Sequence, residues 1–122
     1  DAHYAVMAAR SRSATGPFEP LAEVTGRADS VILKRSGRWM APGHTSAVQD
    51  SAGDWWLVYH AIDTRRPRAG PDAPVNSRRV MLMDRLWWAD GWPRVMDGKP
   101  SGGPVAAPAP AVDGATPGPP GR

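Results

Sequence analysis

A chain of 122 residues with no cysteine has room for one small domain, and it excludes a disulfide framework and thiol chemistry. No apolar run reaches the roughly twenty residues of a membrane span, and the opening DAHYAVMAARS lacks the basic leader and apolar h-region of a signal peptide. The net charge of +3 comes mainly from arginines, with Arg65, Arg66, Arg68, Arg78 and Arg79 flanking one loop. The tryptophans lie in apolar strands and not between those arginines, so neither nucleic acid nor a membrane is an expected partner.

His3 to Arg10 alternates as a strand, although its alanines are weak strand formers. In the following SRSATGPFEPLAEV, Gly16-Pro17 and Pro20 are expected to stop ladder pairing and mark a connection, with Phe18 anchored beneath it. Ser30 to Lys34 is a short apolar strand, and Arg35 to Arg38 a polar turn around Gly37. Pro42 and Gly43 make Trp39 to Gly43 a loop. Thr45 to Asp50 and Asp54 to Ile62 then read as an antiparallel hairpin closed by Ser51 to Asp54. In its second strand Trp55, Leu57, Tyr59 and Ala61 take one face, and Trp56, Val58, His60 and Ile62 the other. Both faces are largely apolar, which predicts a strand covered on two sides.

Asp63 to Ser77 holds three prolines and no hydrophobic period, the composition of a long loop. Arg79 to Leu86 is the last strand, with Trp87, Trp88 and Trp92 around the turn ADGW and Pro93 ending the pairing. Met81 and Met83 share a face with Arg79 and are expected to be buried. No stretch has a helical period, so the predicted fold is all-β. From Gly98 on, the Pro, Gly and Ala content predicts a disordered or polyproline-like tail, dividing the chain into 1–97 and 98–122.

The order of these parts, a Trp followed by Pro-Gly-His at 42–44, an acidic Gly turn, WWLVYHA at 55–61, and an Arg-led strand running to Asp-Gly-Trp-Pro at 90–93, resembles the C-terminal part of glycoside hydrolase family 43. The resemblance spans about Tyr4 to Pro93. It implies a five-bladed β-propeller, of which this chain would supply about one and a half to two blades. A complete propeller of roughly twenty strands exceeds the length available, so the chain is expected to be a fragment that needs upstream blades. The resemblance further implies an inverting hydrolase of α-L-arabinofuranosyl or β-D-xylosyl linkages in plant cell-wall polysaccharide, with an extracellular location expected alongside. Inversion needs two carboxyl groups roughly 6.5 to 9.5 Å apart with a water between them. The family's acid and base lie upstream of the matched region, so no catalytic carboxylate is assigned here. Asp50, Asp54, Asp63, Asp84 and Asp90 occupy turns and strand ends where aspartate bonds local backbone, and Glu19 and Glu23 lie in a connection.

Three residues are candidates for substrate contact. His44 corresponds to a family histidine that points into the central channel and, in some members, contacts a hydrated calcium ion. One imidazole is a poor calcium site because calcium prefers six to eight oxygen ligands, so water would supply most of the shell. Arg79 heads a strand where the family places an arginine that reaches sugar hydroxyls, a task suited to the guanidinium fork; Arg78 becomes the equivalent if the register slips by one residue. Trp39, beside Pro-Gly-His, is the best placed of the tryptophans for stacking on a sugar, while Trp55 and Trp56 read as core. His60 reads as a core histidine with one or two hydrogen bonds, and His3 is unassigned. The alternative function is a non-catalytic β module that binds polysaccharide through exposed tryptophans.

Overall fold

The computed structural model describes residues 3–111. Strands β1 (Val6–Met7) and β2 (Ala9–Arg10) occupy the first predicted strand, divided at Ala8 because the chain changes partners there. β1 pairs antiparallel with β4 (Val31–Leu33), and β2 with β3 (Glu19–Pro20). Ala8 itself is buried, donates its N–H to Ser30 and accepts from Leu21. Pro20 was expected to exclude pairing, yet it faces Ala9 in a ladder only two residues long. It then caps a single helical turn, α1 (Leu21–Thr25), which corrects the reading that no segment is helical. Five residues are too few to show a helical period. Gly26, in the left-handed conformation (φ 70°), ends the turn by donating to the Ala22 carbonyl at 2.9 Å. Phe18 is 59% exposed and anchors nothing.

The remaining strands, β5 (Trp39–Gln49), β6 (Trp55–Asp63), β7 (Val80–Ala89) and β8 (Trp92–Val95), form one antiparallel meander in that order. Trp39 to Gly43 is therefore strand where a loop was expected. Pairing steps from Met40↔Ile62 to Gly43↔His60 to Ser46↔Val58, so β5 holds one extra residue in each interval. These are two consecutive bulges, and they contain the positive φ values of Ala41 and His44, both 52°. Pro42 falls in the first bulge, where its missing N–H costs no ladder bond.

Asp50 organises the β5–β6 turn by accepting from the backbone of Ala52 and Asp54 and from the Trp56 indole, all within 3.0 Å. At the β7–β8 turn, Asp90 and Gly91 both have positive φ (54° and 75°), as a two-residue type I′ hairpin requires. Trp87 and Trp88 belong to β7 itself and are half-exposed. Pro93 does not end the pairing; it faces Trp88 on the sheet's outermost strand, where a missing donor is tolerated.

The core lies between the meander and the short sheets. Leu57, Tyr59 and Ala61 of β6 pack with Leu21, Leu33, Leu86, Trp92 and Val95. On the opposite face of β6, Trp56 and Ile62 are also buried, at 2% and 0% exposure, so the strand is covered on both sides as predicted. Met81 departs from expectation, being 77% exposed. Apart from one helical turn the described chain is all β, the fold expected of part of a β-propeller. Residues 98–111 contain no helix or strand but are tied to the meander: Ser101 donates to Asp84 at 3.2 Å and Ala109 to Asp50 at 3.0 Å. The disordered tail was expected from Gly98, and its part beyond Ala111 lies outside the described residues.

Candidate functional site

The second bulge of β5 turns His44 outward, and its imidazole stacks on that of His60, with centroids 5.8 Å apart and planes at 22°. His60 is on the β6 face turned away from the core, paired across the ladders with Gly43 and Met81. Arg79 immediately precedes β7 and brings a guanidinium nitrogen to 3.4 Å from His60 Nδ1. Tyr4, on the segment leading into β1, closes the group. Its ring meets His60 edge-on at 6.3 Å, and the Arg79 guanidinium lies 5.5 Å from its centroid. Gly43 leaves room for that ring, since a Cβ there would stand 2.8 Å from Tyr4 Cδ1. Four separate segments thus place two imidazoles, a guanidinium and a phenol together.

Among the described residues, no carboxylate contacts His44, His60 or Arg79. Burial lowers the His60 pKa, and the charges of Arg79 and, to a smaller extent, His44 act in the same direction. The group can offer directional hydrogen bonds and an aromatic surface to a polyhydroxylated ligand.

Of the predicted residues, His44 and Arg79 come together through His60, which the sequence reading placed in the core. Period-two alternation puts His60 on the Trp56 and Ile62 face, but only the β6–β7 register reveals that Arg79 arrives beside it. Arg78 is half-buried and donates its backbone N–H to Pro67. Trp39 joins the core at 8% exposure, with its indole N–H on the Ser101 carbonyl at 3.2 Å and the Arg38 guanidinium over its ring at 4.6 Å. It borders a cleft of about 410 Å³ that it shares with Met81, Met83 and residues 101–105.

Asp50 and Asp63 bond nearby backbone N–H groups, whereas Asp54 and Asp84 find partners from distant segments. Asp54 pairs with Arg85 at 2.7 Å, and Asp63 with Arg38 at 3.0 Å and the Arg65 N–H. Asp84 was placed at a strand end, but it sits inside β7, fully buried. It accepts from the Tyr59 hydroxyl at 2.5 Å and from Ser101, while its Oδ1 has no partner. Burial, and after it the bond to Asp84, raises the Tyr59 pKa.

Calcium coordination needs oxygen donors. The cluster offers imidazoles beside a permanent cation, and among the described residues no three His, Asp or Glu side chains converge. These residues do not fit the inner shell of a calcium ion without oxygen ligands from water and from elsewhere.

The profile of glycosyl hydrolases family 43 matches residues 1–93. The chain is 29% identical over 100 residues to the extracellular exo-alpha-(1->5)-L-arabinofuranosidase ArbA of Cellvibrio japonicus, covering 78% of this chain and 25% of that protein. It is 30% identical over 96 residues to arabinan endo-1,5-alpha-L-arabinosidase C of Emericella nidulans, covering 75% and 28%. With the non-reducing end alpha-L-arabinofuranosidase BoGH43B of Bacteroides ovatus it shares 35% identity over 86 residues, covering 70% and 15%. The chain thus spans less than a third of the length of each of these curated relatives.

Proposed function

Because the chain belongs to the glycosyl hydrolases of family 43, we propose that it supplies one wall of the sugar pocket of an inverting glycoside hydrolase. The substrates are α-L-arabinofuranosyl or β-D-xylosyl linkages of plant cell-wall polysaccharide. The relatives named as arabinofuranosidases and arabinosidase support the first class, and the relative named as extracellular supports secretion. The observation that carries the site assignment is the convergence of His44, His60, Arg79 and Tyr4 on the side of β6 away from the core.

In this reading Arg79 and His44 hold the sugar by its hydroxyls. Arg79 donates through two N–H groups, and His44, exposed on its bulge, presents a ring nitrogen. The acid that protonates the leaving oxygen and the base that activates water come from blades outside this chain. Calcium, where present, meets this wall at His44 and takes most of its shell from water. Trp39 contributes a sugar-stacking face only after Arg38 leaves its ring.

The test is titration of the ¹⁵N-labelled chain with arabinobiose and with xylobiose, run beside an assay on aryl arabinofuranoside and xyloside. Saturable shifts of the His44 ring and Arg79 guanidinium signals, lost in Arg79→Ala, are expected together with no detectable hydrolysis. Hydrolysis by this chain, abolished by replacing one of its own Asp or Glu residues, overturns the assignment of the carboxylates elsewhere. If neither sugar moves these signals, in this chain or in a longer protein that includes the adjoining blades, the sugar wall is wrong.

A further inference from the structure

The contacts around His60 exceed what a packed core histidine requires. It touches the other three members of the cluster: Arg79 through Nδ1 at 3.4 Å, His44 face to face at 5.8 Å, and Tyr4 edge to face at 6.3 Å. A guanidinium has no acceptor, so in this contact Arg79 is the donor and His60 Nδ1 the acceptor. The groups facing it are the His44 imidazole from β5, the Arg79 guanidinium from the head of β7 and the Tyr4 phenol from the segment before β1. No carboxylate faces it among the described residues, so nothing here compensates a positive charge on the ring.

We propose that His60 is the positioning residue of this site, an imidazole that holds Arg79 by a hydrogen bond and His44 by stacking, so that the two sugar-contacting groups act as one unit. The inference deepens the sugar-wall reading and rests on it for its consequence, though not for its geometry. Without the ring at position 60, Arg79 loses its acceptor and His44 its stacking partner, and the site loses its grip on the sugar.

The test begins without sugar. Guanidinium N–H signals of Arg79 in the ¹⁵N-labelled chain are expected to be sharp in the parent chain and in His60→Gln, and broadened in His60→Phe. A histidine that only fills space would leave them alike in all three. The sugar arm then compares His60→Gln, which keeps an acceptor for Arg79, with His60→Phe, which keeps only the stacking ring. His60→Phe is expected to weaken arabinobiose or xylobiose binding about tenfold, and His60→Gln clearly less, because a hydrogen bond to a charged group is at stake. Arg79 signals equally sharp in His60→Phe and the parent chain, or equal sugar affinity in the two, overturn the proposal while sugar binding itself stands. Intact coupling without sugar binding in the parent chain counts instead against the sugar wall and supports His60 as the holder of the pair.

Discussion

Gly43 shows how one missing side chain shapes the site. A Cβ at that position would lie 2.8 Å from an aromatic carbon of Tyr4, closer than atoms can approach without displacement. Tyr4 is 52% exposed, so its ring can leave. Gly43→Ala is therefore expected to displace Tyr4 from His60 and Arg79 at a stability cost of only about 1 kcal/mol. The measurement is the loss of ring-current shifts on His60 together with a denaturation curve; unchanged shifts would show that Tyr4 is not seated there. A second single-residue effect comes from Asp50. Its pKa is lowered from 3.8 to about 2, first by the Trp56 indole hydrogen bond and then by the N–H groups of Ala109, Asp54 and Ala52. The folded chain thus favours the ionised form. The stabilisation is complete above pH 3.8 and fades as pH falls through about 2. Asp50→Asn should melt below the parent at neutral pH, with the gap closing between pH 4 and 2. A gap that stays constant over that range would mean that the carboxylate charge is immaterial.

At the level of strands and turns, the β7–β8 hairpin depends on two left-handed residues, Asp90 and Gly91. Gly91→Ala puts a Cβ on a φ of 75° and within 3.1 Å of Arg10, whose guanidinium stacks on Trp92 at 4.4 Å. A loss of about 1–2 kcal/mol in urea unfolding is expected, with a smaller loss for Gly91→Asn because asparagine tolerates this conformation; equal losses would locate the cost elsewhere. The Asp-Gly turn and the two-sided β6 strand were legible because each depends only on neighbouring residues: a turn dipeptide in one case, a period of two in the other. The double bulge of β5 was not legible. Pro42 and Gly43 signal a break in pairing, and nothing local tells a loop from a bulge that resumes its register at Ser46. The site was half visible for the same reason. His44 and Arg79 stood out through motifs, whereas the role of His60 depends on which residues β6 faces across its ladders, and Tyr4 comes from a distant segment. Asp84 was misplaced because its partners, Tyr59 and Ser101, come from other segments.

Across the whole chain, burial is lopsided. One face of the meander closes on β1 to β4, while β5, the outermost strand on its side of the sheet, is exposed at every position from His44 to Gln49. Val48 stands there at 44% exposure opposite Trp56. A strand with one open edge and an exposed apolar residue invites another strand to add to it. The family assignment supplies a reason: in the proposed complete propeller, the inner edge of a blade is enclosed by the others. The chain by itself is therefore expected to self-associate through β5, with a light-scattering mass that rises with concentration. Val48→Lys places a charge on that edge and should return the mass to that of a monomer. The side chain is exposed, so the melting temperature of the monomer should barely change, a surface replacement costing about 0.5 kcal/mol or less. If the parent chain remains monomeric at high concentration, β5 is protected by something other than neighbouring blades, and the self-contained binding module becomes the better description. If Val48→Lys associates as strongly as the parent, association runs through another face, for which the exposed Met81 beside the cleft is the next place to put a charge.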